Sequence, residues 1–294
     1  MNILAIDVGG TCIKYGIFCG EKSQFGQYNV NNQTLLESLC TLATADCYDY
    51  IGVAVPGPFD FSTGTSYMKH KLLPLYEISL LDILHTAAPK TTVEFIHDST
   101  AFCLGAMEEF PELFHGGCSC VMLGTGLGYA YAENGRVFVD ENETPSVLLW
   151  KKPYRESTAE NYVSATALVR MCQEQGYGYQ NTFDMACAAK NGDTKLLSIF
   201  HDAGKYLAEI MEEEFSKNKA EVLIIGGQVS RSWELMKSGF EAVSQIPYKV
   251  VGNPSQSALY GIRRCAFWGK KALYMKNNKE SKNEKSANDN RNGI

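Results

Sequence analysis

The sequence predicts an α/β fold built twice over, each half opening on a β-hairpin and a further strand before helices and strands alternate. Three observations carry this reading. The chain starts with NILAIDV, turns at Gly9 and Gly10, and resumes in CIKYGIF and FGQYNV, with strand-forming composition throughout. The second half begins alike, with CSCVML, a turn at GTGLG and the run YAYAENGRVFV, where Asn134–Gly135 is a hairpin signal. In both halves helix-period patterns then separate further apolar strands. This order excludes an alternating Rossmann sheet running from residue 1.

The first half continues with a helix over 33–42 and a strand, DYIGVAV, ending at PGPFD. A helix over 78–86 precedes TTVEFI, which closes at HDS. In the second half helices dominate from 160 to 216, including the periodic stretch LLSIFHDAGKYLAEIMEEEF. Strand EVLII then enters GGQVS and a helix, YKVV is a short strand, and a final helix runs from 257 towards 274. Residues 276–294 lack large apolar side chains before Ile294 and read as a disordered tail without a catalytic part.

With 294 residues, 45% hydrophobic and 20% charged, the chain has core enough for one large domain or two medium ones. Its formal net charge of -6 gives no electrostatic support for a nucleic-acid or membrane-surface partner. No signal peptide or membrane span is visible, so a cytoplasmic protein is expected. Small anions remain admissible, because backbone N–H groups hold them without basic side chains. The ten cysteines mostly lie in apolar runs such as AFCLGAM and read as buried free thiols. CSC at 118–120 puts two side chains on one face of a strand, but no second Cys or His pair stands near it in sequence, so zinc is not expected there.

Three glycine turns follow apolar strands: DVGGT (7–11), LGTGLG (123–128) and IGGQVS (225–230). Each admits two readings, a tight hairpin or a set of N–H groups that approach phosphate oxygens with no Cβ in the way. The glycines at 124, 126 and 128 do not have the G-x-G-x-x-G spacing and lead into a strand, and no Walker A pattern occurs. Asp7, just before the first turn, reads as a turn-stabilising Asx residue or a ligand-facing carboxylate. Asp98 stands at a strand's end and a helix's start, where ligand sites of α/β sheets gather. It reads as an N-cap or a general base, and Ser99 can cap in its place.

In this order DVGGTCIKYG, GVAVPGPFD, HDSTAF, GTGLG and IIGGQVS resemble the ROK family of sugar kinases, within the hexokinase–actin–Hsp70 superfamily, over residues 2–265. The resemblance implies a two-lobed actin-like ATPase fold, a ribonuclease H-like duplicate with an interlobe cleft. Its small N-terminal lobe would be 1–97 and its larger lobe 98–256, with helix 257–275 returning to the first. The implied activity is glucokinase-like: ATP- and Mg²⁺-dependent phosphoryl transfer to a hydroxyl of a hexose or N-acetylhexosamine. By the same resemblance Gly9, Gly10, Thr11, Lys14, Gly124, Thr125 and Gly126 flank the ATP phosphates, and Gly226 and Gly227 face the adenosine. Asp7 would orient Mg²⁺ through water, Asp98 would be the base, and Pro56, Gly57, His97, Glu143 and Glu160 would reach the sugar. A homodimer is the family's habit.

The pattern also departs from the family. His97 replaces the Asn that bonds sugar hydroxyls; an imidazole donates or accepts with a different reach. Glu143 is retained from the Glu-x-x-His element, but Ser146 stands in place of its His, and the CxCGxxGC cluster is missing. One usual sugar contact is therefore lost and no structural zinc is expected. Glu160 reads as a contact on the far side of the sugar or as a first-turn Glu favoured by the helix dipole. Lys69, His70 and Lys71 read as a solvated loop, with an anionic substrate as the other option. Two other classes compete with the kinase: a sugar-responsive regulator and a degenerate sugar-binding protein. The first lacks a helix-turn-helix before its first strand at residue 2; intact Asp7, Thr11 and Asp98 argue against the second. Which sugar is taken is not legible, since two of the usual hydroxyl partners differ.

Overall fold

The first strands already carry the logic of the molecule. In the computed structural model, which describes residues 1–10, 12–69 and 72–276, the chain runs β1 (Asn2–Val8), β2 (Cys12–Cys19), β3 (Lys22–Asn29), α1 (Leu35–Thr44) and β4 (Tyr50–Val55). The short strands β5 (Phe59–Asp60) and β6 (Thr65–Ser66), α2 (Leu80–Ala87), β7 (Thr92–His97) and α3 (Asp98–Glu109) follow. Thr11, His70, Lys71 and the tail from 277 onward lie outside the described residues, and so do the expectations placed on them. The second part runs β8 (Gly117–Leu123), β9 (Leu127–Glu133), β10 (Arg136–Val139), β11 (Pro153–Tyr154), β12 (Ser157–Thr158), α4 (Glu160–Val163), α5 (Ala165–Glu174), α6 (Thr182–Lys190) and α7 (Thr194–Asn218). It closes with β13 (Val222–Gly226), α8 (Trp233–Glu241), β14 (Tyr248–Val250), α9 (Ser257–Trp268), α10 (Lys270–Leu273) and β15 (Tyr274–Lys276).

The duplication is visible in the sheet orders. The first sheet is β3-β2-β1-β4-β7 and the second is β14-β13-β8-β9-β10-β15. In each, a buried central strand (β1 or β8) pairs antiparallel with a hairpin partner on one side and parallel with a later strand on the other. Central position explains composition: a strand covered on both faces needs an unbroken apolar run. The Asn134–Gly135 turn joins β9 to β10 with both residues at positive φ, 51° and 73°.

Helices fill three layers. α1 and α2 cover the outer face of the first sheet around Leu4, Leu39, Leu80 and Phe95. α5 to α8 cover the outer face of the second around Leu168, Phe200 and Phe240. α3 and α9 lie between the sheets, where Ile3 and Ile96 from one meet Cys118, Ala130 and Val137 from the other through Phe102, Leu259 and Ile262. The long helical region is punctuated by side-chain caps that sequence alone shows only as polar residues. Ser164 Oγ accepts from Ala167 N, Asn181 Oδ1 from Asp184 N, and Asp193 Oδ1 from Leu196 N. No helix among the described residues is long and apolar enough to cross a membrane.

One expectation is corrected here. The last helix does not reach 274: it stops at Trp268, where Gly269 takes φ 74°. After the short α10, β15 adds parallel to β10 in the second sheet, and Lys276, assigned to the tail, belongs to that strand. Periodicity could not show this, because Ala272 and Leu273 continue an apolar pattern past the glycine. The cysteines also depart from expectation: all ten are free, but Cys19, Cys47 and Cys187 are exposed.

The middle layer depends on two glycines. A methyl group on Gly105 of α3 would stand 1.7 Å from Ser257 O, and one on Gly261 of α9 would stand 1.8 Å from Ala101 O. The helices therefore cross backbone to backbone. Gly261→Ala is expected to lower the unfolding free energy by about 2 kcal/mol or more, as overpacking does. Gly178→Ala, with open space around its Cβ position, should stay within about 0.5 kcal/mol. Urea unfolding of both variants measures the difference.

Candidate functional site

Parallel strands present their carboxyl ends to one edge of each sheet, and several of the residues singled out in the sequence lie at these ends. In the first sheet Asp7 is in register with Ala54 of β4, Ala54 with Ile96 of β7, and Val55 with His97. Asp98 follows as the first residue of α3. In the second sheet Gly226 of β13 is in register with Met122, one residue before the end of β8 and the turn at 124–126.

Asp98 is held by its neighbours. Its Oδ1 accepts from Ser99 N at 2.6 Å and from Ser99 Oγ at 3.1 Å, and lies 2.9 Å from His97 Nδ1. Ser99 N also lies 3.2 Å from that Nδ1. The shorter distances decide the proton arrangement: Nδ1–H donates to the carboxylate and Ser99 N–H turns to Oδ1. Oδ2 has no partner among the described residues. Burial pushes the Asp98 carboxyl up, but His97 and then Ser99 outweigh it and hold it below the ordinary aspartate value. The side chain keeps 21% exposure. Ser99 does not cap α3, as sequence had suggested; it sits inside the helix, and His97 is the N-cap residue. The carboxylate of Asp98 nonetheless remains reachable through its second oxygen.

Asp7 behaves oppositely. Burial raises its pKa above the ordinary 3.8; Lys14, paired across the β1–β2 hairpin with Nζ 3.8 Å away, lowers it; the charge of Asp98 raises it again. Asp7 ends beside β4 and Asp98 follows β7 on the other side of β4, so the two carboxylates stand at the same end of one sheet.

The glycine turns use some of their N–H groups internally. Gly9 N donates to Cys12 O at 3.0 Å and Gly124 N to Gly126 O at 3.0 Å. The amides of Gly10, Thr125 and Gly126 have no such partner among the described residues. Gly226 and Gly227 have a packing reason to be glycine: a Cβ would strike the Phe102 ring at 2.3 Å in the first case and Leu123 O at 2.3 Å in the second. Gly227 also has φ 84°.

The remaining candidates are placed as follows. Gly57 lies beside the His97 ring, its Cβ position 3.7 Å from Nε2, which sets the Pro56–Gly57 loop against the imidazole. Phe61 also lies near this imidazole, with ring centroids 6.0 Å apart. Glu160 Oε2 accepts from Leu127 N at 2.8 Å and so closes onto the second glycine turn; a Cβ on Gly126 would stand 2.4 Å from that oxygen. Glu143 is not joined to the Asp98 group by any hydrogen bond or ion pair among the described residues; its Oε2 pairs with Lys270 Nζ at 2.6 Å, and Lys270 also donates to Phe95 O at 3.0 Å. Sequence reasoning missed Lys270, whose only signal was a basic pair after Gly269. Lys69 Nζ lies 5.8 Å from the Tyr76 ring. Where the zinc cluster would be expected from the resemblance, the β11–β12 hairpin is fastened to α7 by Tyr154 and Arg155 on Glu209, with the Arg155 guanidinium 4.5 Å from the Tyr206 ring.

The same fold occurs in solved structures. One match is a ROK family protein from Streptococcus pneumoniae in complex with sucrose (TM-score 0.73, 20% identity, covering 91% of this chain and 99% of that one). Another is a ROK family glucokinase from Streptomyces griseus in complex with glucose and AMPPNP (TM-score 0.71, 17% identity, 89% and 98%). A third is a ROK family transcriptional regulator, a homolog of the E. coli MLC protein (TM-score 0.73, 15% identity, 92% and 79%). No family model matches the sequence, and comparison with curated proteins finds no match. The chain thus has the two-lobed actin-like ATPase fold shared by ROK sugar kinases and a ROK regulator.

The Asp7 shift has a measurable sign. A carboxyl whose pKa is raised by folding penalises the folded state when ionised, so the penalty is full at neutral pH and vanishes below the unfolded value of 3.8. Asp7→Asn should therefore raise the Tm of the ligand-free protein near neutral pH, with the gain fading as pH falls towards that value. Thermal unfolding across this range checks it; a loss of stability at neutral pH would mean that the Lys14 pair outweighs burial.

Proposed function

We propose that the chain is a ROK-type sugar kinase, transferring the γ-phosphoryl group of ATP to a hydroxyl of a hexose or N-acetylhexosamine with Asp98 as general base. The observation that carries the reading is Asp98 itself: ionised, fixed through Oδ1, open at Oδ2, and at the strand edge shared with Asp7. Phosphoryl transfer asks the protein mainly for alignment and charge neutralisation. In this step the sugar oxygen bonds to the γ-phosphorus, the bond to the ADP oxygen breaks, and the hydroxyl proton passes to Asp98 Oδ2. The Nδ1–H of His97 holds the carboxylate in place, which leaves Nε2 as an acceptor for a second sugar hydroxyl beside Gly57. The amides of Gly10, Thr125 and Gly126, with the Lys14 ammonium, are the donors for phosphate oxygens, and Gly226–Gly227 bounds the adenosine side.

The donor set near Asp7 fits Mg²⁺, which takes one or two carboxylates plus substrate phosphates and keeps much of its water. Asp7 would hold it through water; bound there, it supplies neutralisation of the phosphate charge. Glu160 reaches the sugar through Oε1 while its other oxygen keeps the turn in shape. Glu143 acts at a distance, through Lys270 and the Phe95 carbonyl of β7, two residues before His97. The lobes in this reading are 1–97 and 98–256, hinged at the α3–α9 layer, and their closure over the sugar limits ATP hydrolysis.

The likeness to a ROK transcriptional regulator favours one competing reading, a sugar-binding protein without turnover. ADP release, measured across glucose, mannose, fructose, N-acetylglucosamine and N-acetylmannosamine, separates the two. The kinase reading expects turnover on at least one sugar and a loss of about 10²–10⁴-fold in kcat for Asp98→Asn. Turnover on none, with sugar binding retained, would establish the competing reading; near-full activity of Asp98→Asn would remove Asp98 from the chemistry.

A further inference from the structure

Cys103 lies on α3, five residues after Asp98, while Cys118 and Cys120 lie two apart on one face of β8. All three residues are 0% exposed, and their Sγ atoms fall within 4.8 Å of one another. Sequence reading saw only the strand pair; the helix supplies the third sulfur. We propose that Cys103, Cys118 and Cys120 form a three-thiolate site for a soft, thiophilic cation, with Cu(I) the ion that best matches its donors.

The donor set is the argument. Among the described residues no carboxylate or imidazole joins the three sulfurs. Hard cations, which need oxygen, are disfavoured, whereas thiolates select Cu(I), Zn(II) and iron–sulfur clusters. Structural zinc takes four protein ligands, and a catalytic zinc takes a water as its fourth. Here a fourth ligand would have to enter the apolar layer between the sheets, beside Phe102, Ala130 and Leu259. A three-coordinate monovalent ion needs none. At a metal–sulfur distance of about 2.3 Å, three sulfurs around one ion stand about 4 Å apart, so modest side-chain rotation closes the site. On binding, each thiol that becomes a ligand releases its proton to solvent and no electron moves, because copper enters and stays as Cu(I). The site would tie the helix that begins at Asp98 to the strand that enters the 124–126 turn. It stands whether or not Asp98 is a base.

The test refolds the full chain anaerobically with Cu(I) in the presence of a Cu(I) chelator as competitor. One Cu(I) retained per chain, an ultraviolet thiolate-to-copper band, a raised Tm and three sulfur neighbours by X-ray absorption are expected. Cys103→Ala and Cys118→Ala should lose both the band and the one-to-one retention, with circular dichroism checking their fold. The combined Cys19→Ala, Cys47→Ala and Cys187→Ala variant, which lacks the exposed thiols, should keep both. Should an alanine variant not fold, the isosteric Cys118→Ser and the X-ray absorption of the wild-type protein carry the comparison. Copper lost to the chelator as readily as from Cys118→Ala, copper retained undiminished by that variant, or oxygen and nitrogen neighbours in the absorption spectrum would overturn the site. Preferential retention of Zn(II) would overturn the choice of ion.

Discussion

The backbone-to-backbone crossing of α3 and α9 is the constraint on which the rest of the molecule hangs. Gly105 and Gly261 let the two helices approach until no Cβ fits between them, and the pair then fills the space between the sheets. Because α3 starts at Asp98 and runs directly from β7, the same contact sets where that carboxylate stands relative to both sheets. A thicker helix pair would move the two sheets apart. Packing at this level is unforgiving, since interiors are as dense as organic crystals. A second glycine crossing, Gly204 of α7 with Gly239 of α8, uses the same device on the outer face of the second sheet.

Charge at the strand edge is divided rather than shared. Two carboxylates near one another and partly removed from water would ordinarily both be pushed towards their neutral forms. The chain resolves this by giving Asp98 three contacts through one oxygen, from His97 and Ser99, while Asp7 has only Lys14 across a hairpin. One group is thereby kept ionised and the other is costly to ionise. His97 has a double part: it precedes α3 at the N-cap position and its Nδ1 fixes the carboxylate of Asp98.

Much of this was legible in the sequence, for a physical reason. Strands buried on both faces must be apolar throughout, so β1, β4, β8 and β13 announce themselves, and glycine pairs at their ends mark the turns. The position of Asp98 was legible because TTVEFI reads as a strand and the residues after HDS as a helix, which puts it at their junction. What escaped reading depends on contacts distant in sequence. Cys103 meets Cys118 and Cys120 only because α3 packs on β8. Glu143 meets Lys270 across more than half of the described residues following β10. The stop at Gly269 was hidden because Ala272 and Leu273 suit a helix as well as the strand edge they precede. The capping assignment failed on a subtler point: the N–H of Ser99 turns to Asp98 Oδ1, so Ser99 lies within the first turn and His97 holds the N-cap position.

In the proposed kinase one crevice would bring an acceptor hydroxyl to Asp98 and phosphates to the amides of Gly10, Thr125 and Gly126. A co-crystal structure with a non-hydrolysable ATP analogue and a sugar that is bound in solution tests it most directly. A sugar hydroxyl within hydrogen-bond distance of Asp98 Oδ2 and the terminal phosphate between the glycine turns are the expected result. A nucleotide seated elsewhere, or a sugar whose hydroxyls all lie beyond reach of that oxygen, would contradict it.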